Sequence, residues 1–376
     1  MSRRETREVA VIGAGVTGLA IARRLRALGL SVVVVERSGI AAGASGVQPG
    51  GVRQQWGTAV NCRLARESAR FYRDAEANLE TGLELGFRPC GYLFLAHTPA
   101  VLERFARNVA VQQELGIPSR VVSGAEAAEI LPGLQADGLA GASWCPEDGY
   151  FDRPQSVVEA FAAGTDVVVG EVLSIERDGG GWALRLGGGG ETRADAVVVA
   201  AGAGSRGLLA PLGVELPIER EARFLFYSDP ISERLLEPLV ISAERHFAAK
   251  HLGNGRVLAS DLAAAGDPER GRAEWRETVR AAVRELLPIL EYVGFPILTG
   301  GEYDVTPDRQ AILGELPGLD GLLIAAGFSG HGFMLAPAVS RIIAEAIAGG
   351  PRDEALAILD PARFEEGRPV PEPAVI

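Results

Sequence analysis

Apolar and polar positions first fall into register at Val9 to Ile12, a short β-branched run that reads as a strand. Gly13-Ala14-Gly15-Val16-Thr17-Gly18 follows, and from Leu19 to Leu28 the apolar residues recur at helical spacing. A second apolar run, Ser31 to Val35, ends in Glu36, so strand, glycine turn, helix and strand close within about 30 residues. The pattern returns far downstream. Ala194 to Val199 reads as a strand ending in Ala200-Ala201-Gly202-Ala203-Gly204, and Leu322 to Ala326 as another running into Gly327-Phe328-Ser329-Gly330-His331-Gly332. Ala338 to Ala348 then reads as a helix with Ile342, Ile343, Ala346 and Ile347 on its apolar side. Between these units, Pro217 to Tyr227 and Val257 to Leu262 are strand-like, and Glu274 to Leu287 is a helix that interrupts them. Two glycine clusters between Gly179 and Gly190 flank Trp182-Ala183-Leu184-Arg185-Leu186 and read as a hairpin.

Each glycine of the first turn has a physical task. Gly13 allows the tight turn, Gly15 lets backbone approach a pyrophosphate, and Gly18 brings helix and strand together, with Ala14, Val16 and Thr17 completing the phosphate turn. The helix start offers free N–H groups and a positive dipole end. Glu36 stands where a carboxylate accepts from both ribose hydroxyls and repels a 2′-phosphate, which favours FAD or NAD over NADP. An ordinary glycine turn is the bland alternative, and it leaves the second strand and its terminal acid unexplained. A glycine- and serine-rich loop from Ala41 to Trp56, including Ala44, Ser45, Gly50 and Gly51, looks like a cradle for the rest of an extended cofactor. A purely NAD-dependent reading would leave the distant Gly327 to Gly332 turn without a role.

Composition narrows the function classes. The 376 residues suit two domains or one large α/β unit, and 47% apolar residues supply ample core. A formal charge of -12 argues against non-specific nucleic-acid binding. Cys62, Cys90 and Cys145 are widely separated, and His97, His246, His251 and His331 show no metal-ligand spacing, so no metal is expected. The polar start and the lack of a long apolar stretch predict a cytoplasmic protein without a membrane span. Lys250 is the only lysine, and Met334 the only methionine after Met1.

The sequence resembles the FAD-dependent D-amino acid oxidase superfamily, most closely its sarcosine oxidase β-subunit and amine (proline) dehydrogenase β-subunit branch. The residues that carry the resemblance are Gly13 to Gly18 with Glu36, Gly50 to Gly57, Asp148-Gly149-Tyr150, Val197 to Gly202, Thr306-Pro307-Asp308 and Gly327 to Phe333. It implies an α/β fold: a Rossmann-like FAD-binding domain from 1-82, 142-212 and 300-376, and a discontinuous substrate domain from 83-141 and 213-299 on a mixed, largely antiparallel sheet. It also implies oxidation of a C–N bond of an amino acid or of a secondary or cyclic amine, by hydride transfer to flavin N5, giving an imine. A FAD-binding scaffold, or a subunit active only with a partner chain, is the alternative. Cofactor contacts are expected from the fingerprint with Glu36 and Arg37, from Ala44, Ser45, Gly50 and Gly51, from Val172, Ala201 and Gly202, and from Gly327, Gly330, His331, Gly332, Phe333 and Met334.

For the substrate, the resemblance places Arg53 beside its carboxylate, with a surface or domain-bridging salt bridge as the alternative. Tyr303 matches a pocket tyrosine or is a core residue, and His331 tunes charge near the ring or contacts substrate. Met334 stands where monomeric sarcosine oxidases carry a carboxylate-binding lysine, implying a less cationic pocket, or it is core filler. Gly301 replaces a flavin-linking cysteine, which predicts non-covalent FAD. Lys250 is the only lysine that could play the oxygen-activating role of some family oxidases, but it is expected to be solvent-exposed, which puts oxygen reactivity in doubt and leaves room for another electron acceptor. Ala248 replaces a pocket tyrosine.

Overall fold

The computed structural model of the chain describes residues 6–374. Among them, five helices exceed ten residues: α1 (Val16–Ala27), α2 (Ala59–Arg73), α3 (Pro99–Glu114), α4 (Pro268–Leu286) and α5 (Gly332–Ile347). None of the described helices is long and apolar enough to cross a membrane.

Thr6–Ile12 and Val32–Glu36 are the parallel strands of the opening unit, and their alternate residues face α1 or the opposite layer. Glu191–Val199 pairs parallel with Thr6–Ile12 on one edge. Its other edge is shared: the first half pairs antiparallel with Gly181–Leu186, the second half parallel with Leu322–Ala326. The glycine-flanked segment is therefore the middle strand of a three-stranded meander completed by Val172–Asp178. This first sheet has eight strands. The buried runs of its parallel members, residues 9–12, 32–35 and 197–199 and Leu322–Ala326, are entirely Val, Ile, Leu and Ala because helices or loops cover both faces.

The second sheet also has eight strands, in the order Ile297–Val305, Glu219–Tyr227, Val257–Asp261, Phe247–His251, Leu239–Ser242, Tyr92–Ala96, Gly141–Cys145 and Arg120–Val122. Only Leu239–Ser242 against Tyr92–Ala96 is parallel. Gly141–Cys145 thus lies in the second sheet, beyond the boundary expected at 141/142, and Ile297–Val305 runs across the one expected at 299/300. The reason is geometric: Ile297–Val305 pairs with Glu219–Tyr227 along its whole length, so the second sheet continues to Val305 while residues 300–304 line the cavity.

Helix α5 starts at Gly332, earlier than the apolar spacing predicts, and contains Pro337. Proline cannot donate to the carbonyl four residues back. Tyr72 Oη takes that carbonyl instead, donating to Phe333 O at 2.6 Å, so a buried tyrosine of α2 repairs the helix.

Candidate active site

The carboxyl ends of the parallel strands deliver their turns to one cavity of about 720 Å³. Gly13, Gly15, Val16, Thr17, Glu36, Arg37, Ala44 and Ser45 line it, together with Val172, Ala201 and Gly202 and with Tyr303, Gly330, Gly332 and Phe333. The turn leaves no space for side chains where backbone must close on backbone. A Cβ on Gly13, whose φ is +109°, would lie 2.5 Å from Ala200 O, and one on Gly18 would lie 2.1 Å from Gly13 O. Helix α1 has no acidic residue in its first turn and no side-chain cap from Gly15, so its positive end faces the cavity. Ala14 N donates to Glu36 Oε2 and Ser38 N to Oε1, both at 2.9 Å, which fixes the carboxylate at the cavity rim. Ser45 Oγ accepts from Val16 N at 3.0 Å and ties the cradle loop to the helix start.

Other expected cofactor residues stand behind this lining. Gly50 and Gly51 sit at a small antiparallel pairing with Gly149–Phe151, and a Cβ on Gly51 would meet Tyr92 Oη at 2.0 Å. Gly327 N donates to Asp304 Oδ2 at 2.7 Å. Met334 packs against the core beneath α5. Asp304 is a cavity-lining residue that the sequence reading missed, although it adjoins Tyr303. Burial pushes its carboxyl up to about 6, against backbone N–H bonds from Gly327 and Phe328 that favour the anion.

A second cluster adjoins the cavity wall through His331. Arg53 is 1% exposed. Its Nη1 donates to Gln55 O at 2.6 Å and its Nη2 to Ala374 O at 2.9 Å. The guanidinium carbon lies 3.7 Å from the centre of the Trp56 ring, and Trp56 meets His331 edge-on at 4.4 Å. His331 sits between Gly330 and Gly332 of the cavity wall. Burial, reinforced by Arg53 and Arg309, holds its imidazole pKa well below the usual value, so the ring is neutral. Asp148 is wholly buried; it accepts from Gln54 N at 2.8 Å and Gln55 Nε2 at 3.1 Å, and burial pushes it up to about 6. The segment from Pro361 to Ala374 holds this cluster from outside. Arg363 and Asp308 pair in full burial at 2.9 Å. Glu372 accepts from Gly57 N, Thr58 N, Thr58 Oγ1 and Asn61 Nδ2 at the start of α2.

Lys250 departs from expectation. It is fully buried rather than solvent-exposed, donates to Pro49 O of the cradle loop, and lies 4.2 Å from the centre of the Tyr150 ring. Strand alternation explains the position. Phe247 and Ala249 enter the core under α4, so Ala248 and Lys250 turn to the opposite face, with Tyr92, Phe94, Tyr150 and Ile241. Lys250 pairs across the ladder with Leu258. Burial lowers its pKa to about 7.

Comparison with known proteins gives one consistent answer. Residues 8–346 match the family described as FAD dependent oxidoreductase. The FAD-dependent oxidoreductase domain-containing protein 1 of Bos taurus is 30% identical, over 92% of this chain and 82% of that protein. A glycine oxidase of Pseudomonas aeruginosa is also 30% identical, over 95% of this chain and 97% of its own length. The crystal structure of L-proline dehydrogenase from P. horikoshii superimposes with a TM-score of 0.89 at 29% identity, covering 96% and 99% of the two chains.

Proposed function

This chain belongs to the FAD dependent oxidoreductase family, and from that premise we propose that it oxidises the C–N bond of an amino acid or a secondary or cyclic amine, leaving an imine that water hydrolyses. When bound, the flavin accepts the hydride equivalent at N5. The chain's own residues hold, orient and exclude. The observation that carries the reading is Arg53: a buried guanidinium beside the cofactor cavity whose bonds to described residues go to two carbonyls and to no carboxylate. The nearby Glu372 and Asp148 carboxylates offset part of its charge without bonding to it, and three of its five N–H groups remain to take a substrate carboxylate. Trp56 and Phe94 hold its plane, with Phe94 at 5.5 Å, so a carboxylate paired there is oriented as well as bound. Neutral His331 fixes Trp56 and adds no charge. The names of the glycine oxidase and L-proline dehydrogenase relatives support the same substrate class.

The cofactor is held without a covalent tether in this reading. No cysteine or histidine lines the cavity among the described residues, and a Cβ on Gly301 would strike Val47 Cγ2 at 2.4 Å. Acid precipitation therefore releases the yellow colour into the supernatant, and a yellow pellet contradicts it. The substrate class is tested by mixing the flavin-loaded protein anaerobically with proline, hydroxyproline, pipecolate, sarcosine, dimethylglycine, glycine and D-amino acids. Bleaching by at least one is expected. A flavin that none of them bleaches would favour a scaffold or a subunit that needs a partner.

A further inference from the structure

A smaller cavity lies under α3, next to the residues that hold Arg53. Its walls include Gln55 and Ala374, the two residues whose carbonyls hold the Arg53 guanidinium. It is closed down to about 40 Å³, room for a few waters or one functional group rather than a whole substrate. Helix α3 lays Arg104, Asn108 and Gln112 along it at four-residue intervals, one face of the helix over about 12 Å. Phe94, Phe105 and Ile241 form the apolar sides.

Two features mark it as built for a ligand. Gln112 is 2% exposed; its Nε2 donates to Trp56 O at 2.7 Å, yet its Oε1 has no partner among the described residues. A buried acceptor left unpaired is destabilising, so it awaits an N–H or O–H. At the outer end, Arg104 is half-buried, and no Asp or Glu lines the cavity to neutralise it.

Resting on the proposed amine oxidation, we propose that this cavity receives the part of the substrate remote from the oxidised bond, and that this part is a carboxylate. The substrate class is then an amino acid with a second acidic group. Its α-carboxylate sits on Arg53, and its distal carboxylate on Arg104 and the Asn108 amide. Gln112 Oε1 accepts from a water that fills the deep end, beside Trp56. Ser143 is not free to compete, because its hydroxyl donates to Gln55 Oε1 at 2.6 Å.

Glutarate and pentanoate differ only in the second carboxylate, and neither can be oxidised at a C–N bond. Titrating the flavin-loaded protein with each, by calorimetry and flavin absorbance, therefore reads the subsite whether or not any amine bleaches the flavin. The wild-type protein is expected to bind glutarate about tenfold tighter than pentanoate. Arg104→Gln removes the preference and Arg104→Lys retains part of it. Equal binding of the two acids by the wild type, or a glutarate preference that survives in Arg104→Gln, would overturn the proposal.

Discussion

The glycine cradle and the Arg53 cluster are neighbours built from opposite materials. In the cradle, backbone does the recognising: glycines permit contacts that a methyl group would forbid, and one helix end and one carboxylate supply the electrostatics. Around Arg53, long side chains are buried together and held by a segment more than 300 residues away, through Ala374 and Glu372. The difference is one of tolerance. A backbone site fails when an atom is added where two backbone segments close on each other, whereas a side-chain site shifts its charges and protonation states.

The largest effect should come from adding atoms to the cradle. Gly13→Val places a branched Cβ against Ala200 O at a positive φ, and flavin affinity should fall at least about a hundredfold, read by titrating apoprotein with FAD. Gly207→Ala is the control, because that cavity-lining glycine has nothing within 4 Å of an added Cβ; affinity there should hold within about twofold. Equal losses in both would break the distinction between the regions.

Lys250 gives the next effect, on stability. Its folded pKa of about 7 lies below its unfolded value, so between about 7 and 10.4 the unfolded chain binds more protons and stability rises with pH. The slope from this one group approaches about 1.4 kcal/mol per pH unit. Lys250→Met should be more stable than wild type at pH 7, with the difference shrinking toward pH 10, as denaturant melts would show. An unchanged pH slope would mean the amine reaches water.

Asp304 supplies the smallest effect, with the opposite sign. Its carboxyl, raised to about 6 by burial, binds a proton in the folded state that the unfolded chain has lost. The stability it contributes is fully present below about 3.9 and disappears as pH rises through about 6. Asp304→Asn should flatten the stability curve across that window. A variant curve parallel to wild type would place the charge elsewhere.

What the sequence discloses follows the same division. Strand, glycine turn, helix and terminal Glu36 lie within one contiguous stretch, and local sterics alone determine them, so the cradle is legible residue by residue. Gly141–Cys145 was harder, because its sheet is decided by pairing with Tyr92–Ala96 rather than by its own residues. Lys250 misled through its chemistry: a lone lysine suggests solvent, but alternation in Phe247–His251 sends it to an interior face. Asp304 and the Arg104, Asn108 and Gln112 row carry no local signal at all. Their meaning comes from cavities that distant segments enclose.

The most direct test concerns Arg53. Take the amino acid that bleaches the flavin fastest and the amine that lacks only its carboxylate, and measure anaerobic reduction of wild type and Arg53→Gln with both. The wild type should prefer the acid by about a hundredfold or more, the scale of a buried charge pair, and Arg53→Gln should lose that preference while still reducing with the amine. A preference that survives the substitution, or a variant slowed equally on both compounds, would contradict the assignment of the carboxylate to Arg53.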